Sequence, residues 1–173
     1  MLNSRLILKI LRKKDITQSY VDWLNNYEVV KFTEQKNLKH NHKTILKYFE
    51  FISKSKNQFL YGIFVKNNNN KYQHIGNIKL GPINYIHRFA EISYFIGELD
   101  YWNKGFATSA INKIIKIAKS NYKLKKLIAG VYSRNVGSKR VLEKNNFELE
   151  GEFKSQIIFQ KKRYSHLWFG LKL

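Results

Sequence analysis

The chain has 173 residues, enough for one domain with a full core. Its 43% hydrophobic content, with 12 Phe, 11 Tyr and 3 Trp, excludes a disordered tail, and the absence of cysteine excludes disulfides, thiolate metal sites and a cysteine nucleophile. Thirty-two basic against 12 acidic residues give a net charge of +20. That bias has two readings: anionic partners, or lysine-rich compositional drift.

No apolar run approaches the ~18 residues needed to cross a bilayer. The segment Leu6 to Leu11 is too short and too interrupted for a signal peptide, so a cytoplasmic location without membrane association is expected. No five basic residues are consecutive, and no specific nucleic-acid partner is expected.

Leu6 to Leu11 reads as the first strand. Asp15 offers an N-cap to a short helix whose face is Ile16, Tyr20, Trp23 and Leu24. Val29 to Asn41 reads as irregular, and Asn41 caps a second helix carrying Ile45, Phe49 and Ile52 inward. Phe59 to Val65 and Tyr72 to Leu80 form a hairpin around a turn of four asparagines, residues 67 to 70, with Gly81-Pro82 closing the second strand. Phe89 to Ile96 is the next strand.

It leads into the stretch around which the chain is organised. Asp100, Asn103 and Gly105 break the strand. Ala107, Ala110, Ile111, Ile114 and Ala118 then recur with helical spacing, opposite Asn112, Lys113, Lys116 and Lys119. The helix-start amides, the positive end of the dipole and Lys104 converge on one point, which outlines an anion site. Gly105 lets a phosphate approach where a Cβ would block it.

Lys126 to Tyr132 is a further strand, and a short helix runs from about Val136 to Asn145 with Val141 and Leu142 inward. In Phe147 to Phe153, Phe147, Leu149 and Phe153 alternate with three glutamates and are expected inward, with Gly151 as a candidate bulge. Ile157 to Leu171 ends the sheet as a hairpin. Residues 1 to 173 read as one domain, with no repeat or linker.

Trp102-Asn103-Lys104-Gly105-Phe106-Ala107 resembles the Trp-Gly-Lys-Gly-Tyr-Ala of the Rim-like branch of the GNAT acetyltransferases, with Asn103 in a glycine position. Asn135-Val136-Gly137-Ser138, followed by Glu143-Lys144-Asn145-Asn146-Phe147 and Glu150-Gly151, resembles a second signature of that branch, and the element order agrees. The resemblance implies an α+β GNAT fold. Its sheet would be mixed and largely antiparallel, with about seven strands splayed in the middle and about four helices.

The same resemblance implies an acetyl-CoA-dependent N-acetyltransferase. The cofactor would contact Trp102, Asn103, Lys104, Gly105, Phe106, Ala107 and Thr108 through its pyrophosphate. The backbone of Phe95 and Ile96, with Asn135 and Ser138, would contact the pantetheine arm. An amide near Ile96 would polarise the thioester carbonyl.

Glu91 is the leading candidate base; its other reading is a solvent-facing strand residue. Ser138 is the candidate proton donor to the thiolate, or else a first-turn serine bonded to helix-start amides. The helix tyrosine that many relatives use falls near Leu142 and is absent, and a carboxylate of some Rim-type enzymes falls near Ile157. Glu34 is a weaker candidate base, and His87 stands just before the Glu91 strand. His40, His42, His74, His87 and His166 lack ligand spacing, so no metal is expected.

The expected partner is a small-molecule amine, first of all a nucleotide-linked amino sugar. The segments Ile75 to Leu80 and Asn84 to Phe89 carry that resemblance. The α-amine of a ribosomal-type protein is the alternative, a non-enzymatic nucleic-acid-binding protein is a third reading, and a homodimer is a possible assembly.

Overall fold

A computed structural model describes residues 5–67 and 69–173. Asn68, within the asparagine turn, lies outside the described residues.

Seven strands form one mixed sheet in the order β1-β2-β3-β4-β5-β7-β6. They are β1 (Leu6–Ile10), β2 (Phe59–Lys66), β3 (Tyr72–Asn84), β4 (Phe89–Ile96), β5 (Lys126–Tyr132), β6 (Glu148–Phe159) and β7 (Lys162–Lys172). All neighbours are antiparallel except β4 and β5. Helices α1 (Gln18–Asn25), α2 (Tyr27–Val30) and α3 (His42–Ser53) belong to one hydrophobic cluster with Leu60 of β2. Helices α4 (Phe106–Ser120) and α5 (Val136–Glu143) belong to the other, with Ile63, Ile78 and Ile92. Strand alternation separates the two clusters onto opposite faces.

The helical spacing in α4 holds as expected. Ala110, Ile111, Ile114 and Ala118 are fully buried, so truncating Ile114 to Ala should cost about 2–5 kcal/mol. Asn41 caps α3, its Oδ1 accepting from the Thr44 amide at 2.9 Å. At the end of α5, Asn146 takes the left-handed conformation (φ 62), which brings the Phe147 amide to the Leu142 carbonyl and the Asn146 amide to that of Glu143.

Other expectations change. Asp15 ends a 3-10 turn and accepts from the Arg12 amide; Thr17 stands at the N-cap of α1. The stretch read as irregular holds the end of α2 and a second 3-10 turn, Glu34–Asn37; apart from the four-residue α2, the described residues hold four longer α-helices, in line with the expected count of about four. Gly81-Pro82 does not end β3. The ladder absorbs it as a bulge between Leu80 and Ile83, and pairing with β4 resumes.

Leu149 and Phe153 are both 55% exposed, whereas Phe147 is buried. Leu149 shares a face with buried Phe169 but lies on the outermost strand. A bulge between Leu149 and Gly151 then reverses the phase. Glu152 comes opposite buried Leu167, and Phe153 turns to the face of His166.

Candidate active site

Strands β4 and β5 pair only through Phe89, Ala90 and Glu91, opposite Lys126, Leu127 and Ile128. Beyond Glu91 they part. A cavity of about 640 Å³ opens at this gap, lined among others by Glu34, Glu91, Tyr94, Tyr132, Ser138 and His166.

The backbone facing the gap follows from the β3–β4 ladder. The Gly97 amide donates to the Ile75 carbonyl at 2.8 Å, and the register places Phe95 opposite Asn77. Bonding alternates along an antiparallel pair, so Phe95 turns its N–H and C=O toward β3. Tyr94 and Ile96 turn theirs toward the gap. This corrects the expectation for Phe95, whose ring instead lines the cavity and packs near Trp23 and Tyr20. The Ile96 carbonyl accepts from Trp102 Nε1 at 2.9 Å, which pins the turn to the strand.

That turn has the conformation an anion cradle needs. Asn103 (φ 57) and Gly105 (φ 81) are both left-handed, Lys104 is exposed, and no side chain caps the start of α4. The first amides of α4, on Phe106, Ala107 and Thr108, therefore remain for a ligand, and the residues fit a pyrophosphate. Trp102 to Thr108 do not line the cavity; the turn lies beyond the end of β4.

At the start of α5, Asn135 Oδ1 accepts from the Ser138 amide at 3.1 Å, a helix cap. Ser138 Oγ lies 2.8 Å from Tyr94 Oη, which also donates to the Ser138 carbonyl at 3.3 Å. Burial pushes the Tyr94 phenol up to about 12, although its bond to Ser138 pulls the other way. The phenol therefore holds its proton at neutral pH. Leu142 is fully buried in the core, so its side chain does not reach the cavity. The phenol near α5 comes from β4 instead, a residue the sequence reading missed.

Glu91 projects from the cavity face of β4. Burial raises its pKa, and the nearby Lys79 opposes that rise. Glu34 comes to the same cavity from the 3-10 turn, its carboxylate accepting from the Tyr132 hydroxyl. Lys36 Nζ donates to that hydroxyl at 3.2 Å. His166 lies edge-on to Tyr132, and burial holds its pKa low against the pull of Glu34. His40 also lines the cavity and is likewise lowered by burial. His87 is exposed and outside it, its amide bonded to Asn84 Oδ1.

A model of the acetyltransferase (GNAT) domain matches residues 5–148. The chain belongs to the GNAT acetyltransferase family. This GNAT enzyme is 30% identical over 131 residues to the probable N-acetyltransferase YjcK of Bacillus subtilis (strain 168), covering 75% of this chain and 70% of that protein. It shares its fold with a spermidine N-acetyltransferase from Vibrio cholerae solved with CoA and spermine (TM-score 0.84, 20% identity, 98% of this chain and 96% of that one). A GNAT-family acetyltransferase from Bacillus anthracis is similar too (TM-score 0.80, 20% identity, 97% and 95% coverage).

The GNAT enzyme is thus an N-acetyltransferase that uses acetyl-CoA. None of the described helices is long and apolar enough to cross a membrane, and the described residues contain no cluster of three or more metal-ligating side chains.

Proposed function

We propose that this enzyme is a single-domain member of the Rim-like branch and acetylates the primary amine of a nucleotide-linked amino sugar. One observation carries the choice of acceptor: each carboxylate in the cavity has its own lysine. Lys79 acts on Glu91, and Lys36 reaches Glu34 through Tyr132. A polycation would meet no uncompensated negative charge there, in a chain of net charge +20. An amine on an anionic carrier is drawn by that field.

Acetyl-CoA supplies the activated acetyl group as a thioester. The amides from Asn103 to Thr108, with Lys104, hold its pyrophosphate, and Trp102 holds the turn against Ile96. The backbone of Tyr94 and Ile96 and the NH2 of Asn135 hold the pantetheine arm as an added strand would be held. Glu91 takes the proton from the amine, and Ser138 Oγ, backed by Tyr94 Oη, supplies one to the sulfur.

A second reading, a polyamine acceptor, draws on the likeness to the Vibrio cholerae enzyme, whose bound ligand is spermine. To decide, UDP-glucosamine, spermidine and a peptide with a free α-amine are each offered with acetyl-CoA, and thiol release is followed. Acetylation of the sugar at the highest kcat/KM supports the proposal. Preferred acetylation of spermidine or of the peptide overturns it.

A further inference from the structure

Asn77 of β3 is only 2% exposed, lines the cavity, and its Nδ2 has no hydrogen-bond partner. It stands in register with Phe95, and cross-strand partners share a face, so its side chain projects to the cavity side with those of Phe95 and Glu91. A neighbour settles which end of its amide is which. His74 Nε2 lies 2.9 Å from the Gly76 carbonyl and 2.9 Å from Asn77 Oδ1. A carbonyl only accepts, so the His74 proton sits on Nε2, and the amide end facing it is the acceptor, Oδ1.

The imidazole is a fixed clamp. It stacks on Phe64 with centroids 4.8 Å apart and meets Trp23 edge-on at 5.0 Å. With Oδ1 held, the NH2 end of Asn77 is turned away from His74 with nothing to donate to. A buried donor left unpaired is costly, and the cost is recovered when a ligand brings a lone pair.

We infer that Asn77 Nδ2 donates to an oxygen of the acceptor, a hydroxyl, ring or carbonyl oxygen close to the reacting amine. Asn77 then determines specificity, and His74 is its positioning residue. This rests on the amino-sugar reading and deepens it. An amino sugar has oxygens on the carbons next to the one bearing nitrogen, two bonds away from it; spermidine has none, and its ammonium groups would set donor against donor.

The test uses the full chain. The 15N–1H pair of the Asn77 side chain, assigned in the wild-type protein by triple-resonance NMR, is followed with CoA present while glucosamine, UDP-glucosamine or spermidine is added. The pair should shift with the two sugars and stay still with spermidine. Asn77→Leu should weaken sugar binding at least tenfold and leave spermidine and acetyl-CoA binding unchanged. Asn77→Asp, which places an acceptor where a donor is needed, should behave likewise. A pair that moves with spermidine as it does with the sugars overturns the inference, as does one that moves with none of them, the result expected if an internal water is its partner. Sugar turnover with a motionless Asn77 pair sinks this inference alone; spermidine turnover without sugar turnover sinks the acceptor reading as well. The NMR measurement needs no variant, so it decides the matter even if Asn77→Leu fails to fold.

Discussion

Tyr94 Oη on β4 lies 2.8 Å from Ser138 Oγ on α5, joining the strand that borders the gap to the helix beyond it. The contact couples two hydroxyls, so one can lend a proton while the other restores it. Tyr94→Phe removes that reserve and leaves Ser138 without its partner. Turnover should fall severalfold at saturating substrates, and stability should drop by about 1 kcal/mol. Ser138→Ala should lower turnover at least as much, with acetyl-CoA affinity held, as read by calorimetry and steady-state kinetics. Unchanged turnover in both variants would remove the pair from the proton path.

Gly105 has φ 81 at the N-cap of α4. Gly105→Val places a branched side chain in a strained conformation in the turn proposed to hold the pyrophosphate, and acetyl-CoA affinity should fall at least tenfold, about 1.4 kcal/mol. Lys104→Ala is the gentler variant, since Lys104 is exposed. Its loss should weaken binding severalfold at low salt and less as salt is added. Salt-independent, wild-type affinity in a folded Lys104→Ala protein would argue against the anion cradle.

Tyr132 ties the Glu34–Asn37 turn to β5 through the Glu34 carboxylate and Lys36. Tyr132→Phe cuts that tie. The acceptor KM should rise, the acetyl-CoA KM should not, and amide exchange in the turn should quicken. Equal effects on both KM values would mark the tyrosine as merely structural.

Much of this was legible locally. The cap at Asn41, the spacing in α4 and both ends of β4 and β5 are set by residues within a turn or two of each other, and the sequence reading places them well. The left-handed sites at Asn103 and Asn146 follow from what asparagine tolerates. The misses are non-local. Tyr94 and Ser138 stand 44 residues apart, and Glu34 and Tyr132 stand 98 apart, so no window on the sequence joins them. The wrong facing of Phe153 came from a bulge opposite β7, and that of Leu149 from its place on the outermost strand. The misplaced backbone pairing of Phe95 came from a ladder phase set by β3.

Glu91 also carries a stability signature. Burial raises its folded pKa above the ordinary carboxylate value. Between those two values the folded protein keeps a proton that the unfolded chain has released, so this group's contribution falls as pH rises through the window. Above the window the burial penalty is fully felt. Glu91→Gln should therefore melt higher than the parent at neutral pH, with the gap closing on acidification, as thermal denaturation across pH would show.

The catalytic claim on Glu91 meets its most direct test in a pH–rate profile of Glu91→Gln at saturating acetyl-CoA with the true acceptor. Glutamine keeps the shape and cannot take a proton. Turnover should fall by ~10²–10⁴-fold and the acid limb should vanish, while acetyl-CoA affinity stays at the wild-type value. Wild-type turnover with an unshifted acid limb would contradict the account and move the proton path to Glu34 or to another group lining the cavity.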